Sequence, residues 1–366
     1  MTRLIIVAQI CLLPLTLLLG VPRAVHAQET WTTLPTITTS DTTGEKPQSK
    51  VWFYGHTWWA ALPTTAVAPN GTWLFRLEAN NTWTPVLQLT SLKGKADTKS
   101  IGNITHVLVA GTSTSQLVSI EYVPASNNYQ PWSVRPTPTT VYVGETGTID
   151  IDSTSRMWLA TDSPSAVEMY YSDYPYSTFS GPVYLATDTG SGQITAIAAL
   201  PNNTIGVFWS NFAAQRYGFR AHVDGTDPTV WLADEAPAYS LHPNQDMADD
   251  HINLAVASDG TFYAAVKAGH ASSSVPLMYL LVRHPGSGGS GTWDDIYPIG
   301  NSGTRPALVL NEDTQKLQAF ISQSGGIYLY ESAKWPISFG PGQLALSGTL
   351  NDPARLWFWR MRRKRS

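Results

Sequence analysis

The clearest pattern in the chain starts at His251. HINLAVA (251–257) leads into the turn SDG, TFYAAVK (261–267) alternates apolar and polar positions, and PLMYLLVR (276–283) alternates again. After the glycine-rich stretch HPGSGGSG come Trp293 and a last short run, DDIYPI (294–299). Period-two alternation with Gly, Asn and Asp at the joints predicts four short antiparallel strands, A to D, with the next unit opening at Arg305.

The unit repeats. An aromatic that follows a polar turn and precedes a short strand recurs at Trp83, Trp132, Phe179, Trp231, Trp293 and Phe339, separated by 49, 47, 52, 62 and 46 residues. Midway between these markers a turn followed by an apolar strand recurs, as in SIGNITHVLVAG, LPNNTIGVFWSN and ASDGTFYAAVK. Six markers at a spacing near fifty residues predict an all-β, six-bladed β-propeller over residues 50–351, each blade a four-stranded meander. The inner strand of the first blade then has to come from the weakly strand-like segment before Lys50.

Composition agrees with this reading. Charged residues are 14% of the chain, against roughly 25% in an average soluble domain, and Thr, Ser, Gly, Pro, Trp and Tyr abound, which suits short strands and turns. Residues 1–27 read as a signal peptide: Arg3, an apolar stretch over 4–19, and Val25 and Ala27 in the small-residue positions before Gln28. Pro14 inside the apolar run argues against the alternative, an uncleaved spanning anchor. The expected location is therefore secreted or extracytoplasmic. Cys11, the only cysteine, leaves with this segment, so the mature chain has no disulfide and depends on its core.

Residues 28–49 are Thr-rich and read as a linker. Five basic residues lie within 360–366 and two more in the signal; without those seven positive charges the formal −4 becomes −11 over residues 28–359. An acidic, charge-poor body argues against nucleic-acid binding. The basic, aromatic tail 352–366 has too few consecutive apolar residues to span a bilayer, and reads either as a frayed terminus or as a contact for an anionic surface. No transmembrane span is expected in the mature chain, and the expected state is a monomer.

The aromatic markers resemble decayed Asp-box repeats of the sialidase-like, or BNR-type, propellers, whose motif runs Ser-x-Asp-x-Gly-x-Thr-Trp. SDYPYSTF (172–179) keeps the Ser, the Thr and an aromatic, but has Tyr174 and Tyr176 where the motif has Asp and Gly. The resemblance spans roughly residues 50–350 with no box intact, and implies a sialidase-like propeller.

In an up-and-down blade the start of A, the end of B and the start of C open on one face of the disc. Asp250 and His251 begin an A strand, Lys267 ends a B strand and Arg305 begins the neighbouring A strand, so their charges are expected around one central mouth instead of mid-strand in the core. The same rule adds Trp209, Ser210 and Asn211, then Arg216 and Tyr217, from the fourth blade. It also adds His56, Trp58 and Trp59 from the first, and Asp97 and Lys99 near an A strand of the second. Aromatic rings beside charged forks are the usual surface for sugars, so the expected partner is a carbohydrate or other extracellular ligand. The plain alternative is that these groups satisfy exposed strand ends.

Three chemistries bear on this face. A sialidase of the resembling family implies three arginines, a Tyr/Glu nucleophile pair and an acid; only Arg305 sits like such an arginine, and no Tyr/Glu pair can be placed. DDHIN resembles the Asp-His-Asn segment of BNR-type propellers that include some polysaccharide lyases. That resemblance implies His251 as base or neutraliser, Lys267 or Arg305 against a uronate carboxylate, and Tyr217 as acid. Asp249, Asp250 and His251 are adjacent, so in a strand their side chains alternate and cannot converge on a metal. No cofactor is expected, with loop-bound calcium left open. The leading expectation is non-catalytic binding, with a glycan-cleaving lyase as the rival and a purely structural module as the third reading.

Overall fold

The computed structural model describes residues 36–41, 47–237, 246–270 and 275–348, with the backbone of one further short strand at 356–357. The expected signal segment lies outside these residues, as does the expected tail apart from that strand. The described chain is all-β, with 3-10 turns at 124–126 and 287–289 its only helical turns. No described helix is long and apolar enough to cross a membrane.

Six antiparallel sheets follow one another along the chain. Blade 1 is β1 (Val51–Tyr54), β2 (Thr57–Thr64), β3 (Gly71–Leu77) and β4 (Trp83–Thr90). Blade 2 is β5 (Lys95–Ile101), β6 (Ile104–Ala110) and β7 (Ser115–Val123), with its outer strand split into β8 (Asn128–Pro131) and β9 (Thr139–Val141). Blade 3 is β10 (Gly147–Ile151), β11 (Met157–Ser163), β12 (Ala166–Ser172) and β13 (Ser180–Thr187). Blade 4 has β14 (Thr195–Leu200), β15 (Thr204–Asn211) and β16 (Arg216–Val223). Its outer place is taken by an irregular run in which the Leu232 and Glu235 N–H groups donate to Ala221 O and Phe219 O, both at 2.9 Å.

Blade 5 is β17 (Ile252–Val256), β18 (Phe262–Lys267) and β19 (Met278–Pro285), with β20 (Gly291–Trp293) and β21 (Tyr297–Gly300) sharing its outer edge. Blade 6 is β22 (Thr304–Asn311), β23 (Lys316–Gln323), β24 (Gly326–Ala333) and β25 (Gln343–Ser347). The last strand, β26 (Leu356–Trp357), pairs in parallel with β1. The architecture is the six-bladed β-propeller that the repeat predicts, and each aromatic marker lies in or just ahead of the outer edge of its blade.

Alternation explains how neighbouring blades pack. Successive side chains of a strand point to opposite faces, so Leu281 of β19 joins the seam with blade 4 while Leu280 and Val282 join the seam with blade 6. Both faces are covered, and such strands read as nearly unbroken apolar runs.

The innermost strands are also stitched edge to edge by polar side chains. Asp97 Oδ2 accepts from Ile149 N at 2.9 Å, Thr148 Oγ1 from Ile197 N at 3.1 Å, Asp150 Oδ2 from Ala199 N at 2.9 Å, and Asn253 Oδ1 from Leu308 N at 3.0 Å. These bonds cross from blade 2 to 3, 3 to 4, and 5 to 6. The residues just ahead of blade 1 join the same ring. Ser49 N donates to Asp97 Oδ1 at 2.7 Å, Gln48 Nε2 donates to Gly147 O at 2.9 Å, and both residues are buried.

One expectation fails in blade 1. The described residues before Lys50 form no strand, and Val51–Tyr54 takes the inner place, pairing with β2 through Val51↔Ala60 and Tyr54↔Thr57. With only four residues, this A strand looks in sequence like the end of a B strand, and the assignment of the whole blade moves by one strand.

Candidate functional site

The lead-in to blade 5 is fixed from two sides. Met247 N donates to Gln215 O of blade 4 at 3.0 Å, and His270 N, just beyond β18, donates to Asp246 O at 3.0 Å. The backbone bends at Asp250 and enters the strand at Ile252. Because residues 249–251 precede the ladder, the alternation rule does not govern them. Asp249, Asp250 and His251 each bring a donor atom within 4.8 Å of one another. This corrects the expectation that three adjacent side chains could not converge.

Asp249 is the hub. Its Oδ1 accepts from His251 Nδ1, and its Oδ2 accepts from Lys267 Nζ at 2.7 Å. The same Nδ1 lies 2.6 Å from Asp250 Oδ1. Lys267 N also donates to His251 O at 3.1 Å, a backbone bond just beyond the β17–β18 ladder that holds these two residues side by side. Below them the Tyr217 hydroxyl donates to Lys267 O and reaches Asp249 O at 3.5 Å, tying blade 4 to the cluster.

The electrostatics follow from this geometry. His251 is only 8% exposed, and burial pulls its pKa down, but the hydrogen bonds and charges of Asp249 and Asp250 outweigh burial and raise it above the ordinary value. The two carboxylates thus favour the charged form of the ring relative to a free histidine. Two carboxylates face the imidazole of His251 and the side chain of Lys267. The His251 Nε2, also buried, has no hydrogen-bond partner among the described residues. With Lys267 on one oxygen of Asp249 and His251 between the two carboxylates, the cluster is bonded as a salt-bridge network.

Asp250, His251 and Lys267 thus meet at the end of blade 5 where A begins and B ends. Arg305 enters the neighbouring innermost strand at the same end, with a left-handed φ of 51° and a register shift between Thr304 and Ala307 that sets it off the ladder. Asn211 and Arg216 close the facing end of blade 4 as Cα partners. Asn211 Oδ1 accepts from Ala214 N at 2.9 Å, and Arg216 pairs with Asp234 at 2.7 Å.

Other expected members of this face are elsewhere. Tyr217 is fully buried, stacked on Phe208 at 5.0 Å, and burial with the Asp249 charge pushes its pKa well up. It positions Lys267 from beneath and presents no acid to a ligand. Trp209 is buried in the seam of blades 3 and 4, its indole against Gly218, where an added Cβ would meet Trp209 Cε2 at 2.2 Å.

Trp59 is buried between blades 1 and 2 and donates to Tyr54 O at 2.9 Å. Because β1 is the A strand, His56 lies in the A-to-B turn, and Trp58, edge-on to Phe53 at 5.1 Å, sits beside it. These three residues therefore belong to the opposite end of the blade from the mouth. Asp97 and Lys99 lie within the innermost strand of blade 2, where Asp97 stitches the ring and Lys99 pairs with Asp150. The sequence placed the hub, Asp249, only as a metal ligand to be dismissed and not among the residues of the mouth. Its signal was the acidic pair before the strand, but its role depends on a bend that sequence periodicity does not report.

A Tyr/Glu pair, not placed from sequence, exists in blade 3: the Tyr170 hydroxyl donates to Glu168 Oε2 at 3.0 Å. Burial and the carboxylate push the Tyr170 pKa far up, the reverse of what activates a phenolic nucleophile.

Comparison with known proteins now adds the fold. No protein-family model and no curated protein matches the sequence. Among solved structures, the chain is similar to a functionally unknown protein from Desulfotomaculum acetoxidans DSM 771. The identity is 12%, the match covers 84% of this chain and 86% of the other, and the TM-score is 0.51. A polysaccharide lyase of the PL25 ulvan lyase family gives 9%, 82%, 84% and 0.51. The hydrazine synthase of Kuenenia stuttgartiensis gives 9%, 81%, 80% and 0.52. The likeness is one of fold. At these identities it assigns no residue a role.

Proposed function

We propose that this chain is an exported propeller that binds a carbohydrate at the mouth of its ring without cleaving it. The observation that carries this reading is the closed network around Asp249. A lyase needs a base with a free lone pair and a cation free to meet the uronate carboxylate. Here His251 turns its Nδ1 onto two carboxylates and keeps its Nε2 buried, and Lys267 is held by the other oxygen of Asp249. What remains at the mouth are the partly exposed edges of Asp250 and Lys267, an acceptor and a donor of the kind that bind sugar hydroxyls.

The likeness to the ulvan lyase fold favours testing uronate-containing polysaccharides first. Incubation with such polymers, followed by absorbance of the new double bond, is expected to give no signal. Binding on a glycan array is expected to fall by roughly ten-fold or more in Lys267→Met, as for the loss of a charge-assisted hydrogen bond. A rise in absorbance that Lys267→Met abolishes would replace binding with lyase chemistry. Absence of any glycan binding would leave a structural module.

A further inference from the structure

Away from the blade 5 cluster, blade 3 gathers three tyrosines around one carboxylate. Glu168 and Tyr170 are two apart on β12, so they share a face of the sheet. Tyr184 on β13 is the direct cross-strand partner of Glu168. Tyr142, in the connection between β9 and β10, lays its ring 5.9 Å from that of Tyr170 at an angle of 49°. Glu168 is 7% exposed, whereas Tyr142 and Tyr184 are 50% and 55% exposed. The carboxylate thus forms a floor, the Tyr170 hydroxyl holds it, and two rings stand into solvent beside it.

We propose that this corner is a second binding site, for a ligand bearing an alkylated ammonium group. Charge complementarity selects the ligand. The faces of tyrosine rings are electron-rich and attract cations, most of all cations that carry methyl groups in place of N–H bonds. The charged groups acting on Tyr142 are the carboxylates Glu168 and Asp162. Burial and these charges push the pKa of Tyr142 and Tyr170 up, so the phenols stay protonated and the rings stay neutral. A primary ammonium is more strongly hydrated and keeps its N–H groups in water beside these half-exposed rings, whereas a methylated one gives up little water to sit on their faces. A neutral sugar would find few donors at its edges. An alkylated ammonium needs none.

The site is independent of the blade 5 network, so the two readings fail separately. The test is titration of the full chain with choline, with tetramethylammonium, and with 3,3-dimethyl-1-butanol, the neutral shape-match of choline, followed through the tyrosine ring resonances. Saturable binding of both cations is expected, with a dissociation constant on the order of millimolar. The neutral alcohol is expected to bind roughly ten-fold more weakly or worse.

Tyr184→Leu removes an exposed ring and Glu168→Gln keeps the shape and the bond from Tyr170. Each is expected to weaken choline binding by roughly ten-fold while the thermal melt of the protein stays in place. Equal binding of the alcohol would mean a merely apolar patch and overturn the proposal. Saturation by methyl glycosides in place of choline would make it a sugar site, and shifts of these rings that do not saturate would mean no site at all.

Discussion

His251 carries two opposing influences, burial and two carboxylates, and the carboxylates prevail. Its folded pKa lies above that of the unfolded chain, so the stability it contributes is complete below about pH 6.5 and is lost as the pH rises through the raised folded value. The melting temperature is expected to fall on that alkaline side, and His251→Gln should flatten the fall; scanning calorimetry across pH checks it. His106 is the opposite case. Burial, then the charge of Arg135, lowers its pKa to about 3, so the ring stays neutral against Ser119 and Trp132. Its contribution is present above pH 6.5 and is lost as the pH falls towards 3. In His106→Asn the acid limb of the same profile should be shallower. The acidic pair before His251 is visible in sequence, but the burial that competes with it is not, and nothing in the sequence marks His106 as a buried neutral ring.

Between elements, blades 4 and 5 share a buried ion pair. Arg283 on β19 is fully buried, and its Nε and Nη2 donate to the two oxygens of Glu235 at 2.7 Å each. Glu235 also accepts from Trp293 Nε1 at 2.8 Å and from Gly291 N at 3.0 Å, and the guanidinium lies 4.5 Å from the Phe219 ring centroid. Removing one partner strands a buried charge, so Glu235→Gln is expected to cost about 3–5 kcal/mol in urea unfolding. In the seam of blades 3 and 4, Gly218→Ala forces a methyl into the Trp209 indole and is expected to cost about 1–3 kcal/mol in the same assay.

The strands themselves were legible, because short apolar runs bounded by Gly, Asn and Asp turns recur along the chain, as strands covered on both faces require. The partners were not. Trp59, Trp209 and Tyr217 read as rim aromatics but are core, since an apolar ring near a strand end fits either place. The β1 offset arose because VWFY carries no polar position that would mark it as an inner strand.

For the whole molecule, the ring depends on contacts no single blade can make. Asp97 joins the segment before blade 1 to blade 3, accepting from Ser49 N and Ile149 N at once. Asp97→Ala leaves two buried N–H groups without partners and is expected to destabilise by about 2–4 kcal/mol, measured by urea unfolding. The repeat and its spacing predicted this architecture from the markers alone. The convergence of Asp249, Asp250, His251 and Lys267 was only half visible, because it needs both the strand ends that sequence places and the bend it does not. The most direct test of the account is a crystal structure with the best glycan from the array. The account predicts the sugar at the mouth, in contact with Asp250 and Lys267 and uncleaved. A sugar seated at the A-to-B turns of the opposite face, or a cleaved product at the mouth, would contradict it.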